Sequence, residues 1–525
     1  MNAFLLRHAD SVVGVLSGFD RLVFRANLRQ LCHPHGMECL LSANRILLKD
    51  FADYARRCTD ALVTASLAQA HALGREVRYL NSSAIRKEDV AREIARRDGI
   101  RAGLICVLSC VEPCLSFEVH KSRERKRLEI QSRQRKCLHL YHYFLHPVFG
   151  FMHARIQTWL PFCVQICLNG REWLARLMDA EGIGYVKKDN CFTALDDVEA
   201  TQALFDQQLT ADWPALLGGV LAQVHPAHPE ILGRLPHSYY FSAHQSEWAS
   251  DVMFTSRQDL LKVYPRLVRH ALVTYDSACV MRFLGRAVTA QGQVNGHFQG
   301  EVHSDARRRE EGVRVKHSVN GNSVKAYDKH SVLRIETTIN EPGEFKVYRT
   351  KEGEPQGEKD WRVLRKGVAD LHRRAELSQG CNERYAEALA AVQQKTALKE
   401  LAEPLSRRAV APGKGKRRYL RGLNVLSGED AALLAAVADP TFVVSGMRNR
   451  DVLRLLHQVP AKDEEQRRRR AGRVTRQLRL LRAHGLLRKL PRSHRYQLSQ
   501  QGRKAITALL AARNADTETL TAQAV

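Results

Sequence analysis

A tyrosine surrounded by basic residues is the clearest candidate for chemistry in the centre of the chain. Residues 312–336 read GVRVKHSVNGNSVKAYDKHSVLRIE and contain an Asn-Gly hairpin turn signal. Strand alternation places Tyr327 and Glu336 on one face together with five cations. These cations are Arg314, Lys316, Lys325, Lys329 and Arg334. Positive charge lowers the pKa of a neighbouring tyrosine and stabilises phosphoryl charge. We therefore predict Tyr327 and Glu336 as catalytic and the cations as nucleic-acid contacts.

Carboxylates in the first quarter of the chain offer a competing site. Asp20 lies in a predicted hairpin with strands at Val12–Leu16 and Arg21–Leu28, and Glu112 follows a buried strand near Gly103–Leu108. Acids at the ends of separate strands are the ligands by which two-metal nucleases hold divalent ions. Asp20 and Glu112 are therefore an alternative catalytic pair. Either site would use Mg²⁺ or Mn²⁺, and the sequence leaves the metal ligands open.

The last hundred residues combine an arginine-rich helix with a short basic hairpin. Val474, Leu478 and Leu481 recur at helical spacing and predict a core-facing stripe, with the arginines largely off it. Two short strands and a final helix follow. From residue 463 to residue 504 the chain has fourteen Lys or Arg and three acids, which is typical of a nucleic-acid-binding surface. The predicted contacts are Arg467, Arg468, Arg469, Arg470, Arg473, Arg476, Arg479, Arg482, Arg488, Lys489, Arg492, His494 and Arg495.

Two family resemblances follow from these segments. The order of helix, two-stranded wing and helix resembles the winged helix-turn-helix family and implies DNA binding. The string YDKHSVLRIE, residues 327–336, resembles a strand pair of rolling-circle replication initiators and related relaxases of mobile elements. That resemblance implies attack of Tyr327 on a phosphodiester beside a divalent metal. Those enzymes commonly carry two histidines around one hydrophobic residue as metal ligands, and this chain has no clean copy of that pattern.

Composition narrows the class of partner. The chain has 525 residues, a formal net charge of +26 and a sequence pI of about 9.8, which favours a polyanionic partner. No long apolar run predicts a membrane span. The twelve cysteines often lie in apolar strings, as expected in a reducing compartment, so we predict a cytoplasmic protein. DNA is the expected partner, RNA is the second choice, and a homodimer is compatible with the sequence.

The predicted fold class is α+β and multidomain. We expect a mixed N-terminal α/β domain (1–136), a central α+β domain with the basic β-meander (137–365) and a helical connector (366–403). A basic flexible linker (404–428) and a winged-helix domain (429–525) follow. No internal repeat of fixed period is visible.

Three functions remain open at this point. The first is DNA recognition by the winged helix with metal-dependent phosphodiester chemistry in the body, as in a mobile-element nuclease, recombinase or replication initiator. The second is a non-catalytic winged-helix regulator. The third is an RNA-binding or RNA-guided protein whose basic, aromatic body holds the RNA.

Overall fold

The computed structural model describes most of the chain. The described residues are 1–232, 238–286, 288–289, 294, 298, 300–309, 312–351, 353–354, 356–391, 398–410, 419–442, 446–457, 459–490 and 493–515. The PGKGKRR segment of the predicted linker and Arg492 of the predicted wing lie outside them. Within these ranges, every helix is too short or too polar to cross a membrane.

An eleven-stranded sheet forms the body of the protein, which confirms the mixed α and β class. Its strands are β1 Val12–Asn27, β2 Glu76–Tyr79, β3 Gly103–Ser122, β4 Arg127–His146, β5 Gly150–Gln157, β6 Val164–Asn169, β9 Tyr240–Phe254, β10 Val302–Arg309, β11 Gly312–Val319, β12 Asn322–Lys329 and β13 Val332–Ile339. They lie in the order β10-β11-β12-β13-β9-β1-β6-β5-β4-β3-β2. The β2–β3 pair is parallel and the other pairs are antiparallel.

The two halves of this sheet share one connectivity. In the first half, β1 is followed by helices and then by the antiparallel run β3 to β6, whose last strand pairs with β1. In the second half, β9 is followed by helices and then by the run β10 to β13, whose last strand pairs with β9. Strands β1 and β9 pair in the middle. The sequence shows no matching repeat of fixed period. Strand pairing requires a similar pattern of buried and exposed positions in the two halves, but it does not require the same residues.

Helices cover the apolar face of the sheet and part of its polar face. The helices of the body are α1 Asn2–Arg7, α2 Pro34–Ala43, α3 Phe51–Ala72, α4 Lys87–Arg97, α5 Gly170–Glu181, α6 Val198–Thr210, α7 Trp213–Val224, α8 His228–Leu232, α9 Arg257–Val273, α10 Ser277–Phe283 and α11 Leu371–Ala390. One core lies between the first half of the sheet, α3 and α7, and a second lies between the other half, α9 and α11. On the polar face, α5, α6 and the hairpin of β7 Tyr185–Lys188 and β8 Cys191–Leu195 pack over the middle strands.

Strand β1 differs from the predicted N-terminal hairpin. Residues 12–27 form one continuous strand, and the expected turn around Gly18 is extended. Phe205 of α6 packs so closely there that a methyl group at Gly18 would lie 2.3 Å from its ring. Glycine at this position therefore provides close packing rather than a turn.

Strands β3 and β4 form one long hairpin. Each has 20 residues, and the basic run at residues 121–136 covers its tip and the first half of β4. The predicted domain boundary at residue 136 falls inside β4, so strands from both predicted domains belong to one sheet. Small two-stranded units follow the sheet at β14 Lys346–Arg349 with β15 Asp360–Val363, and at β16 Ala409–Val410 with β17 Tyr419–Leu420.

The C-terminal region has a hydrophobic core of its own. Its elements are α12 Leu398–Ser406, α13 Gly428–Val437, α14 Asn449–Leu456, α15 Glu464–Ala483, β18 Leu487–Lys489, β19 Tyr496–Leu498 and α16 Gln500–Asn514. Met447 adds a bridge to Tyr496, so that the segment before α14 lies beside the hairpin. The predicted stripe of Val474, Leu478 and Leu481 is buried.

Candidate functional sites: a buried ion network and an arginine-rich helix

Four buried charged residues join the two halves of the sheet. Arg334 of β13 donates to Asp251 of β9 at 2.7 and 2.9 Å and to Asp20 of β1 at 3.0 Å. Arg171 of α5 donates to Asp251 at 2.8 and 3.1 Å and lies 3.4 Å from Asp20. Both arginines are at most 1% exposed. Two carboxylates thus compensate two guanidinium groups that could not be buried alone.

The two arginines keep both carboxylates ionised. Burial by itself raises the pKa of Asp20, but Arg334 and Arg171 outweigh it and lower the pKa to about 2. The pKa of Asp251 is lowered in the same way, against the effect of its burial, by Arg171 and Arg334. The network is therefore charged at neutral pH.

A β-bulge lies in β1 at Asp20 and Arg21, next to this network. The pairing of β1 with β9 shifts between Phe19 and Leu22, so that Asp20 and Arg21 lie opposite Glu247 alone. An extra residue of this kind bends the strand and re-aims a side chain. Asp20 keeps the face of Gly18 and lies beside Glu247, whereas the bulge turns Leu22 to the core face that Phe19 occupies.

The turn from β6 into α5 positions Arg171. The side chain of Asn169 accepts from the backbone N–H of Arg171 and caps the helix. Asn169 also donates at 2.7 Å to Asn190, which in turn donates to Asp20. At Gly170 a methyl group would lie 2.1 Å from a backbone oxygen of β1, so only glycine allows the helix to begin this close to the strand.

Three carboxylates meet beside the network. Asp20, Glu247 and Glu336 each have one oxygen within 4.8 Å of the others. Lys325 of β12 donates to Glu336 at 2.6 Å and lies 3.6 Å from Glu247. Burial and then the neighbouring Glu336 raise the pKa of Glu247 to about 7. The triad therefore holds a proton more easily than separate carboxylates do.

The triad has the donor set of a divalent-cation site. Carboxylate oxygens are the ligands that Mg²⁺ and Mn²⁺ prefer. The side chain of Glu247 is 16% exposed and gives the triad a route to solvent. Lys325 already compensates Glu336, so a cation at the triad would have to share that carboxylate with the ammonium group.

Tyr327 lies on the predicted polar face, but its environment is opposite to the prediction. The cross-strand rows of that face are Arg314–Tyr327–Arg334 and Lys316–Lys325–Glu336, as alternation predicts. Burial and then Glu336 raise the pKa of Tyr327 above its ordinary value. The expectation of a lowered pKa is corrected: Lys325 and Arg314 do act to lower it, but burial and Glu336 outweigh them.

Glu112 is far from the other candidate acids. It accepts from Tyr141 at 2.7 Å and from Arg155 at 3.0 Å, and Lys87 lies 3.1 Å away. Its strand β3 is separated from β1 by β4, β5 and β6, or roughly 19 Å at the spacing of neighbouring strands. The predicted Asp20–Glu112 pair is therefore not formed, and Asp20 lies instead with Glu247 and Glu336.

Burial also corrects the predicted phosphate contacts of the meander. Arg334 and Lys325 are buried and engaged by carboxylates, and Lys329 is buried on the same face. Arg314 is half-buried and lies 3.5 Å from Asp305. Lys316 is half-buried, and its pKa is lowered by burial and by the neighbouring Lys325. Three of the five cations of this face are therefore buried and the other two are half-buried.

The first half of α15 carries arginines that already have partners. Glu464 accepts from Arg467 at 2.6 Å and from Arg468 at 3.2 Å. Arg469 lies 3.8 Å from Glu465, and Arg470 donates to a backbone oxygen. Arg473, in the middle of the helix, is paired with a glutamate of α13. These acids offset part of the predicted basic surface.

The second half of α15 and the hairpin present free cations. Arg476 and Arg479 are exposed, as is Lys489 of β18, and among the described residues none of the three has a carboxylate partner. Arg482 is half-buried and His494 is exposed. The other basic side chains are held locally: Arg488 donates to Gln497, and Arg495 donates to Gly446 and stacks 4.4 Å from the ring of Tyr348. Arg492 lies outside the described residues.

Sequence reasoning missed Arg171, Asp251 and Glu247. Each lies in a segment without a recognisable motif; strand order brings in Glu247 and Asp251, and the start of α5 brings in Arg171. The alternating string SEWASDVMF of β9 carried one signal, because Glu247 and Asp251 are four residues apart and so share a strand face.

Comparison with known proteins found no matching family model, no matching curated protein and no matching solved structure.

Proposed function

We propose that this protein binds double-stranded DNA and that its C-terminal region is a winged helix. The order of α13, the bridging segment at Met447, α14, α15, the β18–β19 hairpin and α16 supports this proposal. The observation that carries it is the surface formed by Arg476 and Arg479 on α15 with Lys489 on the hairpin. All three cations are exposed and unpaired among the described residues.

In this arrangement α15 lies in the major groove and the hairpin contacts the adjacent backbone. Arg476 and Arg479 are three residues apart, so both lie on the solvent face opposite the buried stripe of Val474, Leu478 and Leu481. The guanidinium groups neutralise phosphates or donate to guanine edges, and each phosphate contact releases counterions.

Duplex binding as a function of salt tests the proposal. The full chain should bind a long mixed-sequence duplex with a steep salt dependence. Changing Arg476 and Arg479 to Gln should weaken binding about tenfold and reduce the slope of log K against log salt by about 2. A control with Arg266→Gln and Arg269→Gln, two exposed arginines of α9, removes the same charge. Equal losses in both variants, or no binding by the full chain, would contradict the proposal.

A second candidate function is metal-dependent cleavage or transfer of a phosphodiester at the triad of Asp20, Glu247 and Glu336. The closeness of the three carboxylates favours it, together with Lys325 beside them. A divalent cation held by the triad would polarise a phosphoryl oxygen, and the ammonium group of Lys325 would stabilise the charge that develops there.

Two measurements test the second candidate. Mn²⁺ binding, followed by the paramagnetic signal of the free ion, should be lost in Glu247→Gln and kept in Glu301→Gln, a change at an exposed carboxylate. Nicking of supercoiled DNA in Mg²⁺ or Mn²⁺ should follow the same pattern, with DNA affinity unchanged. DNA binding without metal binding or nicking would leave a non-catalytic winged-helix regulator. Copurification of a discrete RNA would favour the RNA-binding alternative.

A further inference from the structure

The long β3–β4 hairpin extends beyond the sheet as an arm. Strand β4 pairs with β5 only from His139 to His146. Residues 112–122 and 127–137 therefore pair with each other alone among the described residues. At the usual rise per residue, this two-stranded ribbon is roughly 35 Å long. We call it the β3–β4 arm.

The arm is anchored rather than loose. Phe117 and Ile130 lie in the main core against α2 and α3. Ser116 donates to the backbone oxygen of Leu160 at 2.8 Å, and Gln157 donates to the backbone oxygen of Leu115. These contacts fix one side of the ribbon, and its tip and outer edge remain exposed.

The exposed parts of the arm are strongly basic. Residues 121–136 contain eight Lys or Arg and two Glu, and all eight basic residues are exposed. Glu129 engages Arg125 and Arg127, and Glu118 engages Arg133. Among the described residues, the remaining five basic residues have no carboxylate partner. They are Lys121, Arg123, Lys126, Arg135 and Lys136.

We propose that the β3–β4 arm is a second contact for double-stranded DNA, with Lys121, Arg123 and Lys126 at the tip on the phosphates. A two-stranded ribbon fits the major groove of B-form DNA, whereas the major groove of A-form RNA is too narrow for it. This proposal depends on the proposed function, because it adds a contact to the same duplex.

The position of the arm separates its contact from that of the C-terminal helix. Arg495 of the C-terminal region stacks on Tyr348, which follows the last meander strand, β13 Val332–Ile339, in the chain. Strand β4 lies five strand positions away from β13, or roughly 24 Å. The arm should therefore contact DNA beside the segment that α15 covers and lengthen the footprint on one side.

Salt-dependent binding of a long duplex by the full chain tests the arm. The variant Lys121→Gln/Arg123→Gln/Lys126→Gln should bind at least tenfold more weakly. Its slope of log K against log salt should be lower by about 3. The matched control is Lys262→Gln/Arg266→Gln/Arg269→Gln on α9, which removes the same charge from another exposed surface. Hydroxyl-radical footprinting should show one flank of protection lost in the arm variant and kept in the control.

The outcomes distinguish the arm from the proposed function. Unchanged slope and footprint in the arm variant, with binding lost in Arg476→Gln/Arg479→Gln, would overturn the arm contact and leave the C-terminal proposal standing. Equal losses in the arm variant and its control would show a general charge effect and overturn it as well. Absence of duplex binding by the unaltered chain would overturn both proposals. If the arm variant lost affinity for RNA but not for the DNA duplex, the choice of DNA would be overturned.

Discussion

The arginines of the sheet and those of α15 have the same chemistry and opposite environments. Arg334 and Arg171 are buried between Asp20 of β1 and Asp251 of β9. Arg476 and Arg479 project from one helix into solvent. The first pair links the halves of the sheet, and the second pair leaves its charge free for a polyanion. A high local density of basic residues therefore predicts a nucleic-acid-binding surface only where the cations are not buried against carboxylates.

The largest expected effect is the loss of a buried arginine. Arg334→Met leaves Asp20 and Asp251 with Arg171 as their remaining guanidinium partner, so the free energy of unfolding should fall by about 4 kcal/mol. Arg479→Met, its exposed counterpart on α15, should change it by less than about 0.5 kcal/mol. Urea denaturation of both variants measures this. Similar values for the two would contradict the distinction between the regions.

The second prediction concerns acid. Because the pKa of Asp20 in the folded chain is lowered from 3.8 to about 2, its ionisation stabilises the fold above pH 3.8. This contribution is lost as the pH falls through 2. Asp20→Asn should therefore reduce stability at pH 7 by about 2 kcal/mol, with the difference narrowing in acid. A constant difference across that pH range would argue against the ionised network.

The third prediction has the opposite sign. The pKa of Glu247 is raised from 4.5 to about 7, so the folded chain binds this proton more tightly than the unfolded chain does. Stability from the protonated group is present below pH 4.5 and is lost as the pH rises through 7. Glu247→Gln should remove this loss and therefore be more stable than the unaltered chain at pH 8. Glu301→Gln is the exposed control.

The smallest effect should come from the paired arginines of α15. Releasing Arg467 and Arg468 to phosphate would leave Glu464 uncompensated beside the DNA. The change of both to Gln should therefore lower the salt slope of duplex binding by less than about 1, compared with about 2 for Arg476 and Arg479. Filter binding over a salt series resolves the two variants. A larger loss from the first pair would place the DNA against the other half of the helix.

Much of the local structure is predictable from the sequence. The meander strands follow the alternation of Val313 and Val315 with their charged neighbours, and the turn at Asn320-Gly321 has both residues at positive φ. The buried stripe of α15 follows from helical spacing. The predicted hairpin around Gly18 was wrong, since a glycine between two apolar runs signals a turn as readily as a close packing contact.

The site itself could be predicted only in part. Asp20 and Glu336 were chosen for two separate sites, and they lie together in one triad. Glu112 was expected beside Asp20, and the sheet order places it on the far side of three strands. Glu247 carried no motif, and it joins the site because β9 lies between β1 and β13 in the sheet.

The sequence by itself determined the high positive charge, the face that each meander residue occupies and the amphipathic pattern of the C-terminal helix. These properties depend on composition and on periods of two and 3.6 residues, which act within a few positions along the chain. The tertiary structure decided which cations are compensated, which carboxylates meet, and that two halves of the body share one sheet. These outcomes depend on pairing between β1, β9 and β13, which are far apart in sequence. Burial makes an unpaired charge too costly, so the buried Arg334 and Arg171 lie with acids, whereas the exposed Arg476 and Arg479 need no such partner.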